Sequence, residues 1–181
     1  MTAAENTSQG SPFWRFSLGF YRRAGVADAC IALQEEAGVD VNLLLFLLWH
    51  ATSQRQLSAA EVSALEKKVA PWRNTAVIPL RTVRRALKSP DLVNETALVP
   101  AATAELFRTR IKAVELEAER LQQEAMYERV RACLLGEAAP SVAEAARANV
   151  AAYGKTCRAA FADGDVDTLL AAVEKSKVPS A

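Results

Sequence analysis

Three observations on this sequence predict an all-α fold. The run from Val41 to Trp49 is apolar nearly all round, as a helix enclosed by other helices must be. Ala, Leu, Glu and Arg dominate, while Gly and Pro number only seven each, a mix that favours helix. No segment alternates at period two; apolar residues recur instead at three and four. The predicted architecture is a compact multi-helix bundle around a buried central helix (41–54), with one long helix (about 100–135) and an Ala-rich helical tail. The 181 residues suit one core-bearing domain with tails. We divide them into a disordered leader (1–11), a helical bundle domain (12–135) and a loosely docked tail (136–181).

Ser11-Pro12 opens a first helix to about Arg23, with Phe13, Phe16 and Phe20 in one row and Trp14, Leu18 and Tyr21 in another. Gly25 separates it from a second helix over about 26–37, whose stripe is Val26, Ala29, Cys30 and Leu33 and whose left-handed stop is Gly38. Asp40 caps the central helix. Ser58 and Glu61 form a capping box, with Leu57 and Val62 as its hydrophobic staple, for a helix to about Ala70. There Pro71 breaks or redirects the chain, and Pro79 kinks or divides the helical pattern that continues through Leu87. Ser89-Pro90 ends it, and 91–99 reads as a loop. The long helix carries Phe107, Ile111, Val114, Ala118, Leu121 and Ala125 in alternating steps of four and three, and Gly136 stops it. Ser141 and Glu144 cap a helix to about Ala162, and a short last helix follows Asp163-Gly164-Asp165 to about Lys175. Alanine buries little apolar area, so these last helices are expected to dock weakly.

Charge and cysteine content exclude several function classes. Lys and Arg total 22 against 21 Asp and Glu, a balance that makes nucleic-acid binding unlikely as a role. Cys30, Cys133 and Cys157 form no C-x-x-C pair, so neither a zinc knuckle nor a disulfide framework is indicated. The first ten residues lack the basic and apolar regions of a secretory signal, and the apolar run 43–49 falls far below the ~20 residues needed to span a bilayer. A cytoplasmic location is the expectation. Phosphate-loop, dinucleotide, nucleophile-elbow and H-E-x-x-H motifs are missing, and no cofactor or metal is predicted.

The candidate binding residues are Arg81, Arg84, Arg85, Lys88, Glu115, Glu119 and His50. Between Lys67 and Pro90 seven cations meet no acid. Arg81 and Arg85, one helical turn apart, offer forked donors to a carboxylate or phosphate; the alternative is a face that pairs with the Glu-rich long helix. Glu115 and Glu119 share a helix face, a spacing open to metal or acid–base chemistry and equally to an ion-pairing strip. The lone histidine, His50, ends the central helix without a neighbouring nucleophile, which favours a hydrogen-bonded boundary role over catalysis. Phe13, Trp14, Phe16, Phe20, Tyr21, Phe46 and Trp49 read as core, with an apolar ligand pocket as the alternative.

The set Phe13-Trp14, Phe20-Tyr21, Ala29-Cys30-x-x-Leu33-Gln34 and Gly38-x-Asp40-Val41-Asn42-Leu43-Leu44 through Trp49 resembles a proteobacterial family of short uncharacterised proteins, a domain of unknown function. Leu80-Arg81-x-x-Arg84-Arg85-x-Leu87-Lys88 and Ile111-Lys112-x-x-Glu115-Leu116-x-Ala118-Glu119 extend the likeness, which covers about 12–135. It implies a small helical protein without an assigned activity. The leading expectation is a non-enzymatic protein-interaction or regulatory module with a protein partner. The competing one is a carrier or enzyme for a small amphipathic anion, with its body among Phe16, Phe20, Phe46 and Trp49 and its head on Arg81 or Arg84.

Overall fold

A computed structural model describes residues 10–89 and 98–176. The leader at 1–9 and most of the loop, 90–97, lie outside the described residues. The helices are α1 (Pro12–Tyr21), α2 (Val26–Ala37), α3 (Val41–Ala51), α4 (Ala59–Trp72), α5 (Ile78–Ala86), α6 (Ala101–Ala132), α7 (Val142–Cys157) and α8 (Asp163–Glu174). A π-helical turn, Arg73–Val77, joins α4 to α5, and two-residue strands β1 (Arg55–Gln56) and β2 (Glu137–Ala138) pair antiparallel. The fold class is all-α, and none of the described helices is long and apolar enough to cross a membrane. The residues up to Lys68 and from Gln123 onward form one compact unit, and Val69–Gln122 form a second.

In the first unit α3 is the centre: Leu43, Leu44, Phe46, Leu47 and Leu48 are wholly buried. Asp40 caps it by accepting from the backbone N–H groups of Asn42 (2.9 Å) and Leu43 (3.4 Å). The helix stops at Ala51, three residues before the expected end. Thr52 caps it, its hydroxyl donating to the Trp49 carbonyl, and Gln54 then takes a left-handed φ of 52° that turns the chain into β1. Helix α1 lays Phe13 on this core, its ring edge-on to Phe46 at 5.5 Å and tilted against Trp49 at 5.3 Å. It ends at Tyr21, where its apolar rows also end, two residues before the expected Arg23. Gly38 stops α2 with φ 66°, as its position predicts. The Ser58–Glu61 capping box forms in both directions: the Glu61 carboxylate accepts from the Ser58 N–H at 2.8 Å, and Ser58 Oγ accepts from the Glu61 N–H at 3.2 Å.

The Ala-rich C-terminal helices differ most from expectation. A weakly docked tail is predicted from their small side chains, yet α7 packs along α3 and α8 along α2, within the same unit. Tyr153, Val150, Leu169, Leu170 and Val173 are buried there, and alanines at 145 and 146 allow close helix approach. Polar groups complete the fit. Asn149, with no exposed surface, accepts from the Leu57 N–H at 2.6 Å and donates to the Leu47 and Arg55 carbonyls at 3.1 and 3.2 Å. The Tyr153 hydroxyl accepts from the Asp40 N–H at 2.9 Å. Helix α7 ends at Cys157, five residues short of the expected stop.

In the second unit the prolines act differently from simple breaks. The helical path runs through Pro71 and widens into the π-turn, where the Ile78 N–H bonds the Arg73 carbonyl five residues back. Pro79 then occupies the first turn of α5, where no N–H is required of it. The wider turn accommodates the missing donor without ending the helical run. The Trp72 indole N–H donates to the Ala118 carbonyl at 2.9 Å, joining the end of α4 to α6.

Replacing Asn149 by Leu removes three hydrogen bonds to buried backbone groups at nearly constant volume. The expected loss is about 3 kcal/mol, read as a lower urea midpoint with an unchanged m-value; Ala148→Leu on the half-buried neighbouring position is the comparison.

Candidate functional site

Two clusters gather the residues singled out in the sequence. The first lies within the second unit, between α5 and α6. Arg81 Nε donates to Glu115 Oε1 at 3.1 Å, and its Nη2 donates to Glu119 Oε1 at 2.8 Å. Arg84 reaches the same Glu115 carboxylate through Nε to Oε2 and through Nη2 to Oε1 at 3.1 Å. Two arginines one helical turn apart thus clamp two carboxylates one turn apart. Glu115 is only 5% exposed, and its side chain is the hub. Burial pushes its carboxyl up, but the hydrogen bonds and charges of Arg84 and Arg81 outweigh this and hold it below the usual range. Hydrogen bonding to Glu115 in turn raises Arg84.

This arrangement places four of the candidate residues together and leaves two outside. Arg85 and Lys88 are exposed on the remaining faces of the segment. Lys88 acts at longer range, helping to hold the exposed Glu105 carboxyl low after the larger effect of its hydrogen bond from Arg108. Arg81 and Arg84 therefore present their forked donors to the protein's own acids. The carboxylates of Glu115 and Glu119, whose spacing is open to metal or acid–base chemistry, face guanidinium groups in this structure.

The second cluster is His50 and its neighbours in the first unit. His50 is 4% exposed, stacks on Phe46 with centroids 5.9 Å apart, and its Nε2 lies 3.2 Å from the Leu135 carbonyl. A carbonyl only accepts, so Nε2 carries the proton. Burial lowers the imidazole pKa more than the Leu135 contact restores it, and Arg55 lowers it further while Glu61 opposes. Arg55 donates to Leu135 O at 2.8 Å and to Gly136 O, and the Glu61 carboxylate accepts from the Gly136 N–H at 2.9 Å. Gly136 itself, at φ 73°, would bring a Cβ within 2.4 Å of the Gln56 carbonyl oxygen, so only glycine fits. His50 thus joins Arg55 and Glu61 in receiving the chain that leaves α6. Arg55, Asn149 and Tyr153 were not foreseen as partners here; one signal for Asn149 was an isolated amide in an otherwise alanine-dominated stripe.

Three of the aromatic residues read as core lie there, and Trp14, Phe16, Tyr21 and Trp49 are half-buried. Phe13, Phe20 and Phe46 are at most 1% exposed and make ring contacts with one another or with Phe16 and Trp49. The rings of Phe13, Phe46 and Trp49 pack against one another, and within the second unit Arg81 and Arg84 are engaged by glutamates.

A family model described as a protein of unknown function (DUF2390) matches residues 12–126. The chain belongs to this family. The matched segment contains every residue of both clusters' side-chain hubs, from His50 and Glu61 to Arg81, Arg84, Glu115 and Glu119. No curated protein and no solved structure matches the chain.

Two outcomes follow from the clusters. Glu115→Ala leaves Arg81 and Arg84 without their shared partner and is expected to destabilise by about 3 kcal/mol, measured by chemical denaturation; the exchange Arg84→Glu with Glu115→Arg restores part of the loss. His50 has a folded-state pKa below the ordinary 6.5, so its unfolded form takes up the proton first as pH falls. Stability contributed by neutral His50 is complete above pH 6.5 and declines below it. Urea midpoints between pH 7 and about 5 are expected to fall for the wild type and to stay flat for His50→Gln, which keeps an amide donor for Leu135.

Proposed function

We propose that the protein is a non-enzymatic protein-interaction module and that the exposed face of α6 in the second unit is its contact surface. The observation that carries this reading is the distribution of exposed apolar side chains. Among the described residues, every large one except Leu18, Ile31 and Leu134 lies between Trp72 and Leu121. Scattered exposed apolar residues are ordinary, whereas their concentration on one small unit is a feature of binding surfaces.

Phe107, Val114 and Leu121 follow one another at seven-residue steps and are 50%, 52% and 44% exposed. Seven residues is nearly two helical turns, so the three form a continuous apolar stripe of the kind that receives a partner helix. The stripe is flanked by held charges: Arg108 pairs with Glu105, and Arg120 with Glu117 at 2.7 Å. Paired charges bordering an apolar strip match the polar rim of an interface. The same surface includes the long helix anticipated as a contact element. The Arg81 and Arg84 part of the anticipated surface is engaged with Glu115 and Glu119 inside the unit, so apolar contact takes the leading place.

Val114→Glu is expected to abolish partner recovery in affinity purification from the native cell, with circular dichroism and melting temperature unchanged because the site is half exposed. Arg85→Glu, on an exposed position of α5, is expected to leave recovery within about twofold, as surface charge changes usually do. Equal recovery by wild type and Val114→Glu would remove α6 as the contact surface.

A further inference from the structure

We propose that a cleft between α7 and α8 binds a small organic anion carrying an apolar body. This site lies outside the α6 surface and beyond residues 12–126, and it stands independently of the interaction reading. The cleft has a volume of about 540 Å³, within the range that takes a small molecule. Val150, Phe161 and Val166 give it an apolar wall, and Arg147, Lys155 and Arg158 bring three cations to it. Asp163 is its one acid, and it stands in the first turn of α8, where a carboxylate complements the helix dipole.

The cations are placed in a way that helix chemistry alone does not explain. Arg147, Lys155 and Arg158 have no hydrogen bond or ion pair from their side chains among the described residues, in contrast to Arg81, Arg84, Arg108 and Arg120. Lys155 lies in the last turn of α7 and favours its dipole, but Arg147 is more than two turns from that end. Arg147, Ala151 and Lys155 follow steps of four, so Arg147 and Lys155 share one face of α7, and Arg158 stands at its C-cap beside the same cleft.

Arg158 is the more telling. It ends α7 in the left-handed region at φ 53° and ψ 37°, a position ordinarily filled by glycine or asparagine. Arginine there is strained, and its stem adds no burial in return, since the residue is exposed. An arginine in a backbone conformation that disfavours it, beside a cleft lined by two other cations without side-chain partners among the described residues, is a reason to assign it a ligand. Gly154 lines the cleft where the chain turns back after α7; a Cβ there would lie 3.3 Å from the Ala159 carbonyl oxygen, a close approach, and Phe161 sits edge-on against Tyr153 at 6.1 Å. The ligand class is therefore a carboxylate, sulfonate or phosphate monoester with an aromatic or branched body: the head meets the cations and the body meets Phe161, Val150 and Val166.

The test is titration of the full-length ¹⁵N-labelled protein with naphthalene-1-sulfonate, followed by amide shifts in two-dimensional NMR. Saturable shifts centred on Gly154, Ala159 and Phe161 are expected. Arg158→Gly is expected to weaken binding about tenfold or more while its melting temperature holds or rises, because glycine relieves the left-handed backbone. Arg147→Gln provides a second variant with the same expected loss of affinity and no backbone change. The neutral isostere 1-naphthylmethanol is expected to bind more weakly by a similar factor. Shifts centred elsewhere, unchanged affinity in both variants, or equal binding of the neutral isostere would each overturn the proposal.

Discussion

Asn149 holds the first unit together at the point where an apolar helix has to end. The central helix α3 is buried along nearly its whole length, and the chain from its last turns to Leu57 carries backbone groups against α7. Asn149, on α7, meets three of them with one amide: the Leu47 and Arg55 carbonyls and the Leu57 N–H. An unsatisfied buried backbone group costs more than a hydrogen bond ordinarily contributes, so the amide specifies where α7 sits as well as adding stability. The β1–β2 pair, Arg55 on the 135–136 carbonyls, and Glu61 on the Gly136 N–H continue the same role along the next few residues. His50, buried beside them, donates to one of these carbonyls.

The second unit solves its burial problem with charge. Its α5 and α6 segments have few large apolar residues facing each other; Val77 is the buried one contributed by the π-turn and α5. Glu115 takes the place such a residue would hold, and it is tolerable there because Arg81 and Arg84 both reach it. Spending the interior of the unit on ion pairs leaves its apolar side chains outward, which is the condition that turns Phe107, Val114 and Leu121 into a surface. Internal neutralisation of a basic segment and external display of an apolar stripe are thus two sides of one arrangement.

Comparing how arginines are treated separates structural from available charge. Arg81 and Arg84 are paired and partly buried, Arg108 and Arg120 are paired with acids three residues before them, and Arg55 is bound to carbonyls. Each has a structural task. Arg147 and Arg158 have none of these engagements among the described residues, and Arg158 adds an unfavourable backbone conformation. The density of cations in the sequence is therefore a poor guide to function: within the run rich in Lys and Arg, Arg81 and Arg84 are answered by Glu115 and Glu119, whereas the sparser Arg147 and Arg158 have no such partner among the described residues.

The sequence by itself determined the helical class, the central helix, the α2 stop at Gly38, the Asp40 cap and the Ser58–Glu61 capping box, because each depends on residues close in the chain. Periodicity also determined that α6 is one long helix. It placed Phe107, Val114 and Leu121 on one stripe without saying whether that stripe is covered, since exposure depends on which elements pack against it. The pairing of Arg81 and Arg84 with Glu115 was one of two open readings, and only the approach of α5 to α6 selects it. The docking of α7 and α8 was hidden because alanine content measures apolar area, whereas Asn149 and Tyr153 dock through hydrogen bonds to groups some hundred residues away. The early ends of α3 and α7 were likewise decided by tertiary structure: a helix whose pattern permits another turn stops where a cap or a packed neighbour makes the alternative backbone more favourable.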